Sequence, residues 1–386
     1  MLVSVTTDFQ TSQPILVLGS GPAGLAAGAC LQQAGLPFLI LESASELAPV
    51  WRRHYDRLHL HTDRKRSGLP GLPMPADYPQ YPSRDQVVAY LDQYAKHFQL
   101  PIQFGQKVLK AFPEEGLWHL QTEDRTWSCQ HFVVASGWTR QAFRPKWPGE
   151  ADFGGPILHS SEYRNAEAFR GQKVLVVGFG NSGGEIALDL FEHEASASLS
   201  VRSPVNIVPK ELFGLPLLAW SIPLSKIPPR LADALTWLPR RLRMGSPTQY
   251  GLPAAPFGPM TQVARFQRIP MIDVGVLAPM RRREIQVYPD ILRLHPGEVE
   301  FQDGRRQPFD AVIAATGYRP ALGEFLQAPA KVLDEQGRPV QPEALPAAPG
   351  LWFCGFDVSP SGMIRKIGQE ARALSAALSR ELQKQA

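Results

Sequence analysis

Two apolar runs, each broken by glycines and followed by a stretch rich in small or aliphatic residues, stand out along the chain. The first is Ile15-Leu16-Val17-Leu18, which passes into Gly19-Ser20-Gly21-Pro22-Ala23-Gly24 and an Ala-rich segment that ends at Gly35. Four successive apolar residues predict a strand buried on both faces of a parallel sheet, and the Ala-rich segment predicts a helix to Ala34. A second strand, Phe38-Leu39-Ile40-Leu41, closes the unit and ends in Glu42. The pattern then recurs. Lys173-Val174-Leu175-Val176-Val177 predicts a strand, Gly178-Phe179-Gly180-Asn181-Ser182-Gly183-Gly184 a turn, and residues 185–191 the continuing helix. The next strand, Leu199-Ser200-Val201, ends in Arg202-Ser203.

The rest of the pattern fits around these units. Residues 1–13 read as a loose lead-in, and residues 47–82 as a long loop rich in Pro and aromatic side chains, a kind that is usually functional. Ser83 is a good N-cap for an amphipathic helix over residues 84–98. Short alternating strands are predicted at 107–112, 118–122 and 127–129, and a buried strand at 132–135 running into Gly137. The Pro-rich residues 143–156 read as a crossover between domains. Residues 212–224 are apolar but interrupted by Pro216 and Pro223, and predict packed or interfacial helices near a substrate entrance. Short strands follow within 285–301, buried strands at 309–314 (leading into Ala315-Thr316-Gly317-Tyr318) and at 351–354, and a last helix at 363–383. The expected architecture is α/β with two Rossmann-like dinucleotide-binding domains. The first is discontinuous, over residues 1–165 and 311–386, and the second covers 166–310.

The glycines predict chemistry as well as fold. Gly19 permits the tight turn, Gly21 leaves room for a pyrophosphate, and Gly24 lets the helix pack on the strand; Ser20, Pro22 and Ala23 complete the loop. Free N–H groups and a partial positive charge at the helix N-terminus favour phosphates. Glu42 follows Gly19 by 23 residues, where an acid accepts from a ribose hydroxyl. Arg202 follows Gly178 by 24 residues, where a guanidinium binds a 2′-phosphate. The first unit therefore suits FAD and the second NADPH.

Composition narrows the class. The chain has 386 residues, 44% hydrophobic and 20% charged, with a formal net charge of +4 and no basic run dense enough for nucleic acid. Cys30, Cys129 and Cys354 are too scattered for a disulfide scaffold, a zinc site or a dithiol centre, and suit a reducing cytoplasm. No signal peptide and no apolar run of about 18 residues is evident, so a cytoplasmic protein without a membrane span is expected.

Phe153-Gly154-Gly155-Pro156-Ile157-Leu158-His159-Ser160-Ser161-Glu162-Tyr163 matches F-x-G-x-x-x-H-x-x-x-Y and resembles the signature of class B flavin-containing monooxygenases. Tyr163 stands where the related Baeyer–Villiger signature has Trp. The stretches Tyr55-Asp56-Arg57-Leu58-His59-Leu60-His61, Tyr81-Pro82-Ser83, Asn181-Ser182-Gly183, Val201-Arg202-Ser203, Ile272-Asp273-Val274-Gly275 and Ala315-Thr316-Gly317-Tyr318 resemble the YUCCA-type branch. The resemblance implies an FAD site at Gly19, Gly21, Gly24, Glu42 and Trp51. It implies an NADPH site at Gly178, Gly180, Asn181, Ser182, Gly183 and Arg202. Val108, Ser203, Ala315, Thr316 and Gly317 join the cofactor-binding set. His61 falls where many members carry an asparagine facing flavin and nicotinamide, and His61, Trp51 and His159 are the candidate catalytic residues. His59 and His61 also fit an edge strand with one polar face, and His159 fits a role in domain geometry. Ser136 departs from the usual Thr, and residues 357–366 from the expected sequence.

The implied chemistry is hydride transfer from NADPH to FAD, retention of NADP⁺, and reaction with O₂ to a C4a-hydroperoxide that oxygenates a small molecule. The substrate is a soft nitrogen or sulfur compound or, as in the YUCCA-type branch, an aromatic 2-oxo acid such as indole-3-pyruvate, which loses CO₂. A homodimer is compatible with the resemblance. An NADPH oxidase releasing H₂O₂ and a nucleotide-binding protein without oxygenation stay open, while a flavin disulfide reductase lacks its cysteine pair.

Overall fold

The computed structural model describes residues 12–340 and 346–385, so most of the expected lead-in lies outside the described residues. Two sheets carry the two glycine turns. The first has seven strands. Ser12–Leu18 lies between Phe38–Leu41 and Thr126–Val134 in parallel register, Leu351–Phe353 adds beside Thr126–Val134, and Leu117–Gln121 and Lys110–Glu114 extend the sheet antiparallel. The second is a five-stranded parallel sheet in the order Gln286–Tyr288, Ser196–Ser200, Lys173–Val177, Ala311–Ala314, Ile157–His159. Residues 15–18, 174–177 and 311–314 of the central strands are apolar because both faces are covered, and each fully buried Val, Ile or Leu contributes about 1.5–3 kcal/mol.

The predicted units form as expected, with Pro22–Gln33 and Asn181–Glu192 as the helices after the turns. The helix Arg84–His97 starts with a capping box, in which Ser83 Oγ accepts from the Gln86 N–H and the Gln86 side chain accepts from the Ser83 N–H. Two differences are informative. The strands expected at 127–129 and 132–135 are one strand, Thr126–Val134. The polar pair Gln130-His131 suggests a break, but only Gln130 faces solvent; His131 is buried beneath Trp352, whose indole N–H points at its Nδ1 at 3.4 Å.

Sheet membership also departs from the expected boundaries. Ile157–His159 and Ala311–Ala314, placed with the first domain by sequence, pair in the second sheet. The reason is a repeated fit. A strand ending in Ala135 closes over Gly19 in the first unit, and a strand ending in Ala315 closes over Gly178 in the second.

Residues 207–273 form an excursion between the strands Ser196–Ser200 and Gln286–Tyr288. It carries the helices Leu217–Leu224, Pro229–Met244 and Pro259–Phe266. Apolar residues of 212–224 line an internal cavity, while Phe213 and Leu215 in the preceding hairpin are exposed. Among the described residues no helix is long and apolar enough to cross a membrane.

Candidate active site

The two glycine turns have nearly the same backbone. Gly19 and Gly178 adopt φ of +107° and +101°, which favours glycine. A Cβ on Gly24 would lie 1.8 Å from Gly19 O, and one on Gly183 would lie 2.1 Å from Gly178 O, so both close approaches exclude a side chain. Gly21 and Gly180 differ: a Cβ there meets nothing within 4 Å. Both are helix N-caps without a side-chain cap, and neither helix has an acid in its first turn. The result is two helix N-termini with uncapped amides and open space in front of them. That is the chemistry a pyrophosphate fits, so the residues suit both dinucleotides.

The two strand ends are unlike. Glu42 is 4% exposed. Its Oε2 accepts from Ser20 N–H (2.8 Å) and Ser20 Oγ (2.7 Å), and its Oε1 from Ala44 N–H (2.9 Å) and Ser43 Oγ (3.0 Å). Arg202 extends into solvent, its side chain 75% exposed, with Asp290 at 4.0 Å as its ion-pair partner. Ser203 is half-buried beside it, and Val108 lies buried in the core against the first sheet.

The stretch 55–61 clasps the helix of the second unit. Tyr55 Oη donates to Glu185 Oε2 at 2.5 Å, Arg57 pairs with Glu192, and His61 Nε2 lies 3.2 Å from Glu185 Oε1 without hydrogen-bond alignment. Burial and the Glu185 charge hold the Tyr55 hydroxyl well above its ordinary pKa, so it remains a proton donor to that carboxylate. Tyr163 donates to Asp189 on the same helix at 2.5 Å. Glu185 and Asp189 are buried acids whose sequence signal is faint, two carboxylates four residues apart in a helix otherwise built for burial. His59 and His61 do not share a face. His59 is exposed, bonded to Arg57 O, whereas His61 turns into the cavity.

His159 lies away from that cavity. Its Nε2 donates to Gly317 O (3.0 Å) and its Nδ1 accepts from Ser161 N–H (3.1 Å), so both ring nitrogens are engaged. Burial lowers its pKa and favours the neutral ring. It ties the crossover to the Ala315-Thr316-Gly317 turn, where Thr316 Oγ donates to Phe143 O. Ser182 lies beside the Tyr55 hydroxyl, and the Asn181 side-chain oxygen accepts from Ile272 N–H at 2.8 Å, pinning the excursion to the second turn.

The cavity has a volume of about 320 Å³. Trp51, His61 and Asn181 line it, together with apolar side chains that include Leu217, Leu218, Trp220, Val263 and Ile272. It thus joins two of the candidate catalytic residues and a residue of the second turn, at a volume suited to a small molecule. The three cysteines are buried and unpaired, and burial raises Cys30 to about 11 and Cys129 to about 12, which makes them poor thiolates.

Comparison with known proteins agrees with this picture. Residues 16–210 match the pyridine nucleotide-disulphide oxidoreductase family model. The chain is similar to a probable indole-3-pyruvate monooxygenase of Arabidopsis thaliana, YUCCA7, with 38% identity over 325 residues, 81% of this chain and 75% of the relative. It is similar to indole-3-pyruvate monooxygenase YUCCA1 of Oryza sativa subsp. japonica at 36% identity, covering 88% of this chain and 86% of the relative. Among solved structures it is similar to a flavin-containing monooxygenase from Stenotrophomonas maltophilia, with a TM-score of 0.73 and 25% identity over 96% of this chain and 99% of that one.

Proposed function

Because the chain belongs to the YUCCA family of flavin-dependent monooxygenases, enzymes of FAD and NADPH, we propose that it oxygenates an aromatic 2-oxo acid such as indole-3-pyruvate, with loss of CO₂. The overall change is 2-oxo acid plus O₂, NADPH and H⁺ to the acid one carbon shorter, CO₂, H₂O and NADP⁺. The names of the relatives supply the substrate class. The single observation that carries the reading for this chain is the apolar cavity that opens onto Trp51, His61 and Asn181.

The residues divide the work. Gly19, Gly21 and Gly24, with Ser20, Pro22, Ala23 and Glu42, hold FAD at the first turn. Gly178, Gly180, Asn181, Ser182 and Gly183, with Arg202 and Ser203, hold NADPH at the second. Bound flavin supplies the electron transfer and activation of O₂. His61 lines the cavity with its Nε2 unbonded, where it would serve as a donor to an oxygen-derived anion, and the Leu and Trp walls keep water out. His159 acts on domain geometry by fixing the 315–317 turn. Three buried, unpaired thiols favour a reducing cytoplasm.

The test is turnover of FAD-loaded protein with indole-3-pyruvate, following NADPH, O₂, CO₂ and H₂O₂ together. Near-equal consumption of NADPH and release of CO₂ is expected. Stoichiometric H₂O₂ with no CO₂ overturns the reading in favour of an NADPH oxidase.

A further inference from the structure

The cavity is apolar, and a half-buried arginine stands in its wall, between it and a second groove lined by Asn206 and Arg241. Arg240, on the helix Pro229–Met244, is the only Lys or Arg among the cavity's lining residues, and no Asp or Glu lines the cavity. Among the described residues no carboxylate lies within the 4.0 Å of an ion pair with Arg240. Asp233, two turns earlier on the same helix, is the acid whose charge reaches it. That carboxylate is committed elsewhere, accepting from Met260 N–H at 2.8 Å and Thr261 N–H at 3.0 Å.

The Arg240 side chain has one neutral prop. Its Nη1 donates to Asn206 Oδ1 at 3.2 Å. Asn206 is buried, and its Nδ2 donates to Phe257 O (2.9 Å) and Gln262 Oε1 (3.0 Å), which turns the amide oxygen toward the guanidinium. Asn206 therefore positions Arg240 without neutralising it. Burial pulls Arg240 below the usual arginine pKa, the mark of a cation short of water and of a partner. A second donor is also unspent: Ser221, on the facing helix Leu217–Leu224, lines the same cavity with a buried hydroxyl that has no hydrogen-bond partner.

A half-buried guanidinium with no carboxylate partner, in the wall of an apolar cavity, favours an anion, and its planar fork matches a carboxylate through two parallel N–H bonds. We propose that Arg240 is the carboxylate anchor of the substrate cavity, with Ser221 Oγ a further donor to the polar head of the substrate. The cavity then selects anionic aromatic acids over neutral aromatics of the same shape. This rests on the reading of the cavity as the substrate site.

The test compares phenylpyruvate with 1-phenylpropan-2-one, in which a methyl group replaces the carboxylate. Both are titrated calorimetrically into FAD-loaded protein without NADPH. Wild type is expected to bind phenylpyruvate at least about tenfold more tightly. Arg240→Gln should weaken phenylpyruvate by about ten- to a hundredfold and leave the neutral ketone and the KM for NADPH unchanged, and Arg240→Lys should recover part of the preference. Equal binding of the two probes to wild type, or a loss that falls on NADPH instead, overturns the anchor. If Arg240→Gln loses both probes, the lysine variant decides: recovered carboxylate preference supports the anchor, and its absence overturns it.

Release of CO₂ from phenylpyruvate separates the two readings. If Arg240→Gln binds phenylpyruvate like wild type and CO₂ release persists, the anchor falls and the oxidative decarboxylation stands. If Arg240→Gln selectively loses phenylpyruvate while wild type releases no CO₂, the anchor stands and the decarboxylation falls.

Discussion

The two dinucleotide units share a backbone and differ in how finished they are. Both have a positive-φ glycine, an open N-cap glycine and a glycine pressed onto a carbonyl. At the end of the second strand, Glu42 is buried and held by four donors, whereas Arg202 stands in solvent near a single acid. A carboxylate fixed in advance loses little freedom when a ligand arrives; a free arginine loses much of its rotamer entropy. The proposed FAD site is thus preformed at this position, and the proposed NADPH site is not. The same glycine turn serves both, and the residue that ends the following strand sets the difference.

The largest test breaks the shared part. Gly24→Ala places a Cβ 1.8 Å from Gly19 O, backbone that a rotamer change cannot move. A loss of roughly 4 kcal/mol or more is expected, read as insoluble expression or a collapsed melting temperature. A folded, yellow Gly24→Ala protein contradicts the close packing described here.

Gly21→Val comes next and separates binding from folding. Its Cβ meets nothing within 4 Å and its φ is −74°, so the fold accepts the side chain while the pyrophosphate does not. The variant should keep wild-type far-UV circular dichroism and lose FAD affinity about a hundredfold or more. Full flavin occupancy removes the first turn from the FAD site.

Arg202→Ala probes the contrast itself. A charge-assisted contact contributes about 1.5–3 kcal/mol, so the KM for NADPH should rise about ten- to a hundredfold and that for NADH should hold. An exposed side chain brings the lower end of that range, because water and salt screen it. If both constants rise together, Arg202 does not read the 2′-phosphate.

What the chain revealed in advance follows from range. The turns, their helices and strands, and the acid and arginine at the strand ends were legible, because glycine spacing and buried apolar runs are local signals. The partner of the strand Ala311–Ala314 was not, since pairing is long-range; the clue was its ending, Ala315-Thr316-Gly317, which repeats Ala135-Ser136-Gly137. Trp51 and His61 were legible through resemblance and do line one cavity. Glu185 and Arg240 were not, because each gains its meaning from neighbours brought in by other elements: Tyr55 and His61 around the first, Asn206 and an apolar wall around the second.

The smallest expected effect concerns His61, which belongs to the first unit by chain and touches the second through Glu185. Its ring has an ion-pair approach of 3.2 Å without the alignment of a hydrogen bond, so its buried Nε2 is not consumed by that acid, and the residue lines the cavity with Trp51. In the proposed role, a donor at this position would stabilise negative charge that develops on oxygen and make no difference to a hydride arriving from NADPH. His61→Ala should therefore leave anaerobic flavin reduction within about twofold of wild type. In air the same variant should release more H₂O₂ per NADPH, with a several-fold loss of coupling, equivalent to roughly 1 kcal/mol in the partition. His61→Gln, which keeps a donor of similar reach, should recover part of the coupling. Stopped-flow reduction and peroxide counting read the two steps separately. If the alanine variant slows reduction and leaves coupling intact, His61 serves the clasp between the two units through Glu185, and the contrast drawn between them extends to the residue that joins them.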